Sequence, residues 1–100
     1  MSVVGEVPAH RTRVLHPEGD LDLLTVDELR ALLADAVADD NVDVLIDLTK
    51  VHHVDIVALS AILATADALH EQGRSLHVAA ARRELRRVCA LLRAEDILVG

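Results

Sequence analysis

Apolar residues follow two distinct rhythms along this chain. Leu29, Leu32, Leu33, Ala36 and Val37 recur at the three-and-four spacing of one helical face. Thr25 stands just ahead of them with Glu28 three residues on, the order of a capping box, and Asp27 and Glu28 suit the positive end of a helix dipole. The stretch TVDELRALLADAVADD is therefore predicted as a helix. NVDVLIDL alternates instead, with Val42, Val44, Ile46 and Leu48 on one face, and the apolar Leu45 on the other face predicts a central strand. A second helix is predicted from about Val57 to Gln72, with Leu59, Ile62, Leu63, Ala66 and Leu69 inward and Gly73 as its stop. SLHVAA reads as a short strand. RRELRRVCALLR reads as a helix with Leu85, Val88, Cys89 and Leu92 inward and its arginines outward. At the start, SVVGEVP and TRVLH read as short strands of a hairpin, so that residues 1–10 open the sheet, and PEGD reads as a turn.

The order β-β-α-β-α-β-α predicts one α/β domain over residues 1–100, with a mixed, mostly parallel sheet and packed helices. No internal repeat, low-complexity tract or linker interrupts it.

Composition sharpens this picture. The chain is 52% hydrophobic yet has no Phe, Trp or Tyr, so its core is built from Leu, Val, Ile and Ala. Aromatic platforms for bases and cages for cations are thereby excluded. A net charge of −7 argues against a nucleic-acid surface, which needs clustered Lys and Arg. The charge is uneven. Residues 18–47 carry Glu18, Asp20, Asp22, Asp27, Glu28, Asp35, Asp39, Asp40, Asp43 and Asp47 against Arg30, whereas 82–93 carry Arg82, Arg83, Arg86, Arg87 and Arg93 against Glu84. Such polarity either orients a partner or marks solvated helix faces. Cys89 is the single cysteine, so no intrachain disulfide forms. Its place on an apolar stripe predicts a small buried hydrophobe, and a redox role would need exposure beside Arg86 and Arg93. No basic-then-apolar leader opens the chain, and the longest weakly polar run, IVALSAILATA, is too short to span a bilayer. A cytoplasmic protein without membrane insertion is expected.

Enzyme chemistry finds little to stand on. G-x-S-x-G is absent, and four scattered glycines make no phosphate-binding loop. His52 and His53 are adjacent and point to opposite faces of a strand-like segment, so no metal site is expected. No hydroxyl has a neighbouring His and acid in relay. No enzyme and no cofactor are predicted. One junction remains, VHHVDIVALSAIL, where Asp55 sits between strand and helix. Asp55 either caps the helix or belongs to a polar platform, rich in free backbone N–H groups, on which a partner docks.

EGDLDLLTVDELRALL, VDVLIDLTKVHHVDIVALSAIL and LHVAAARRELRRVCALL, taken in order over residues 11–99, resemble the STAS domain of bacterial anti-sigma factor antagonists. The likeness rests on Gly19 and Asp22, on Asp47 and Leu48, on Asp55 at a helix start, and on the rhythm of the last helix. It implies a switch that binds an anti-sigma factor of the GHKL kinase type. In that family a Ser follows the acid at the Asp55 position and is phosphorylated, which ends the binding. Here Ile56 stands at that Ser, Val57 at the second hydroxyl and Ala58 at the small residue, so the resemblance implies a platform without its phosphoacceptor. Asp22, Leu24, Thr25, Asp55, Ile56, Val57 and Ser60 are the expected docking surface. Permanent binding, a different assembly, or a displaced acceptor at Ser60 or Thr49 are the competing consequences. The alternative implied by the resemblance is a cytoplasmic accessory subunit bracing the ATPase of a lipid-trafficking ABC transporter. A homodimer is compatible with either. Nucleotide or small-ligand binding in a cleft beside Asp55 ranks last, for want of a phosphate-binding loop.

Overall fold

The alternation of residues 42–47 builds the centre of the structure. A computed structural model describes residues 11–39 and 42–99, and in it Val42, Val44 and Ile46 of β3 (Val42–Asp47) are buried to 2% exposure or less. This strand pairs in parallel with β1 (Arg11–Leu15) on one side and with β5 (Leu76–Ala79) on the other, so it is central, as Leu45 implied. β6 (Leu98–Val99) adds beyond β5, giving the order β1-β3-β5-β6. A second, two-stranded parallel sheet joins β2 (Gly19–Leu21) to β4 (Val51–Val54). Every strand pair among the described residues is parallel. The expected first arm of a hairpin, in residues 1–10, lies outside them, and its second arm is β1.

Helices make the crossovers that parallel strands require. α1 (Val26–Ala38) buries Val26, Leu29, Leu33 and Ala36, but Leu32 is exposed because the buried stripe is narrower than its apolar pattern. α2 (Ile56–Glu71) buries Ala58, Leu59, Ile62 and Leu69, with Leu63 and Ala66 packed at the edge. It closes at Gly73, whose φ of +72° is the left-handed conformation that favours glycine. α3 (Arg83–Leu91) buries Leu85 and Cys89 and turns its arginines outward, while Leu92, expected inward, lies past its end and is half exposed. A short 3₁₀ turn (Glu95–Ile97) then leads into β6. No described helix is long and apolar enough to cross a membrane.

Two further expectations change. The predicted capping box does not form: Thr25 precedes α1, but its side chain accepts from the amide of Asp22 (3.0 Å) and donates to the carbonyl of Asp20 (2.9 Å). Its hydroxyl locks the loop before the helix rather than capping it. The PEGD turn is shorter than expected, because Gly19 and Asp20 already belong to β2. A register shift between these two residues and a φ of +80° at Gly19 mark a bulge that a side chain would strain.

Arg74 has no counterpart in the sequence reading. It is 6% exposed and sits where α1 ends and β3 begins. Its guanidinium donates to the carbonyls of Ala36 (3.1 Å), Val37 (3.0 Å) and Asp39 (2.8 Å), to that of Val42 (2.8 Å), and to Oε1 of Gln72 (2.6 Å). The carbonyl end of α1 is the negative end of its dipole, so the buried cation is compensated without a carboxylate. Truncation leaves these acceptors unsatisfied, which costs about 1–3 kcal/mol for each buried group that finds no water. Arg74→Ala is therefore expected to lower stability by about 3 kcal/mol and Tm by about 12–24 °C, at about 4–8 °C per kcal/mol for a chain this size. Arg74→Lys should recover less than half of this, since an ammonium cannot span the same carbonyls. Thermal melts followed by circular dichroism check both.

Candidate functional site

The two-stranded sheet places the site. β2 and β4 run side by side, so the loop after β2 and the helix start after β4 emerge together. The amide of Asp55 donates to the carbonyl of Leu21 (2.9 Å), and the Gly19 amide to that of Lys50 (3.0 Å), fixing both ends of the ribbon. Asp55 is the N-cap of α2: one carboxylate oxygen accepts from the Ala58 amide (2.9 Å). Its other oxygen accepts from the amide of Leu23 (3.1 Å) in the loop after β2. The capping reading of Asp55 is borne out, and the side chain does more. It caps the helix and, with the same carboxylate, ties down the neighbouring loop.

That loop is further ordered from within. Asp22 accepts from the amides of Leu24 (2.9 Å) and Thr25 (3.3 Å), an Asx turn closed by the Thr25 hydroxyl. Its apolar side chains are left outside. Leu23 is 67% exposed and Leu24 91%, and Ile56, first residue of α2, is 59% exposed. Three large aliphatic residues therefore flank one carboxylate that accepts an amide on each oxygen. Leu23 escaped the sequence reading, and its only signal there was the run of three leucines around Asp22.

Of the expected surface, Asp22, Leu24, Thr25, Asp55 and Ile56 lie on this loop and helix start. Val57 is half-buried, and Ser60 is exposed one turn along α2 from Ile56. Thr49 is not part of the cluster. It sits before β4, at the opposite end of that strand from Asp55, and its hydroxyl and amide both donate to Asp47 (2.5 and 2.9 Å). These two bonds, hydroxyl first, hold the Asp47 carboxyl below the usual carboxylate range, and His16 at 3.6 Å adds to them. Cys89 is fully buried, and burial, with Glu95 nearby, pushes its thiol up. The exposure that a redox role needs is absent.

Known structures share this architecture. The Bacillus cell fate determinant SpoIIAA in its phosphorylated form superposes with a TM-score of 0.73 at 17% identity, over 93% of this chain and 84% of that one. A candidate anti-sigma factor antagonist of Thermotoga maritima superposes at 0.78 with 16% identity, over 87% and 75%. A sulfate transporter family protein of Wolinella succinogenes does so at 0.68 with 12% identity, over 87% and 75%. At such identities these likenesses show the fold alone. The STAS domain profile matches residues 6–99, and the chain belongs to that family. No curated protein matches it by sequence.

Two outcomes follow from the geometry. Asp55→Ala removes a helix cap and a loop tether together and should cost about 1–2 kcal/mol, the upper range for caps, whereas Asp55→Asn should cost less; urea unfolding measures both. Asp47, with its folded pKa depressed, contributes stability that is present above the unfolded carboxylate value near 3.8 and is lost as pH falls through the folded one. Melting temperatures followed from about pH 6 to about pH 2, across the carboxylate range, should therefore fall less steeply for Asp47→Asn than for wild type.

Proposed function

We propose that this chain is a regulatory protein-binding module of the anti-sigma factor antagonist type, whose partner is an anti-sigma factor with a GHKL kinase fold. Asp22, Leu24, Thr25, Asp55, Ile56, Val57 and Ser60 form its docking surface, with Leu23 added. One observation carries the reading: a single carboxylate holds the loop and the helix start together while Leu23, Leu24 and Ile56 stay exposed beside it. Exposed aliphatic residues around a rigid, internally satisfied polar centre are what the core of a protein interface needs. Ile56 occupies the position from which a phosphate would be read, so the module engages its partner without a covalent off-switch there. Ser60 and Thr49 are the two candidate displaced acceptors, and the engagement of Thr49 with Asp47 favours Ser60 of the two.

The second reading is a STAS subunit bracing a membrane transporter, whose ATPase would be the partner in the ABC class. Its support is the fold shared with the STAS domain of a SulP transporter from Vibrio cholerae (TM-score 0.62).

Ile56→Glu distinguishes these. An acid at the first position of α2 is favoured by the helix dipole, so the variant should fold as wild type does. Placed at the centre of the interface, it should weaken partner binding at least about 30-fold, the loss of a hot-spot residue. Wild-type and Ile56→Glu baits are compared in pull-downs from lysate with identification by mass spectrometry. A kinase-like anti-sigma factor lost with Ile56→Glu supports the first reading, and a transporter subunit supports the second. A partner held equally by both baits overturns the surface.

A further inference from the structure

We propose that the groove between the start of α2 and α3, whose lining shares Asp55 and Ile56 with the docking surface assigned above, binds a single-chain anionic amphiphile, such as a fatty carboxylate. Three observations converge on it. The groove encloses about 610 Å³ between Leu48, Val51, Leu59, Leu85 and Val88, a size in the range of about 300–1,000 Å³ usual for small-molecule sites. All five walls are aliphatic and the chain holds no aromatic residue, so they match a flexible alkyl tail rather than a flat ring. Arg82 and Arg83 stand exposed on the rim, and neither has a carboxylate partner among the described residues. Arg82 uses only its Nε, on the carbonyl of Val51 (3.2 Å), which leaves the outer edge of its guanidinium available.

The start of α3 adds to these three. Its nine residues begin at Arg83 with no side chain capping the first-turn amides, so that positive helix end opens onto the same rim as the two arginines. Two acids also line the groove. Asp55 already accepts an amide on each oxygen, which leaves Glu84 as the rim's one uncommitted carboxylate. A cationic mouth over an aliphatic floor recognises an anionic head with an apolar tail. Arg–carboxylate pairing at the mouth provides orientation, and tail burial provides most of the affinity.

Calorimetric titration of the full chain with decanoate, dodecanoate and tetradecanoate, all below their micelle concentrations, tests this. Saturable binding at one site is expected, tightening about fourfold for each added methylene until the groove is full. Dodecanol and dodecyltrimethylammonium should bind at least about tenfold more weakly than dodecanoate, because each lacks the anionic head. The Arg82→Gln/Arg83→Gln double variant should lose about tenfold or more in dodecanoate affinity while keeping its circular dichroism spectrum, and Arg83→Gln alone should lose part of it. The proposal is overturned by no saturable binding of any chain length, by equal binding of the cationic detergent, or by affinity unchanged in both variants. It is equally overturned if sedimentation with phosphatidylglycerol vesicles captures the protein while monomeric dodecanoate does not bind, since a membrane surface would then be the occupant.

Discussion

The Asp55 carboxylate accepts two backbone amides from separate parts of the chain, that of Ala58 at the start of α2 and that of Leu23 after β2. Neither amide has another partner in its own element, so without this side chain both the helix end and the loop would depend on water. Much of the proposed docking surface depends on this one constraint. The loop carries Leu23 and Leu24, the helix carries Ile56, and the relation between them is set by two hydrogen bonds to one residue. Each oxygen of this acceptor is already committed to a backbone amide. Its contribution to recognition lies in what it holds in place.

This arrangement bears on the exposed isoleucine at position 56. The first position of a helix tolerates an acid well and gains nothing from a β-branched apolar side chain. An isoleucine left more than half exposed there, next to two exposed leucines, is not explained by the stability of α2. Solitary exposed aliphatic residues are ordinary on protein surfaces, whereas a group around one fixed point is a feature of binding surfaces.

The sequence was informative wherever a period ran long enough to be read. α1, α2 and α3 each repeat their apolar stripe over several turns, and β3 alternates over six residues, so element type and much of the core followed directly. β2 and β4 are three and four residues long, too short to establish a period, and His52 and His53 are both exposed despite being neighbours. The ribbon that aligns the site was therefore hidden. Asp55 was legible as a cap because capping is local, but its bond to Leu23 is not, and no spacing rule reports it. Thr25 misled for a related reason: the capping-box order was present, yet the Asp22 turn competed for the hydroxyl and won. Arg74 is the extreme case. A lone arginine after a helix-stopping glycine looks solvated, and only the tertiary structure reveals the carbonyls that it meets.

The order of strands in the larger sheet follows the order of the chain, β1, β3, β5, β6, each laid beside the one before. A sheet with this topology grows from one side only. During synthesis each new strand emerges with its template already made, and no strand has to be inserted between two that are already paired. Arg74 leaves the ribosome just ahead of β5, after α1 and β3, and so reaches its carbonyls when the elements that present them can already exist. For the described strands of the larger sheet, a polypeptide with no aromatic anchors and a modest aliphatic core thus has an order of addition in which no strand is inserted between two others.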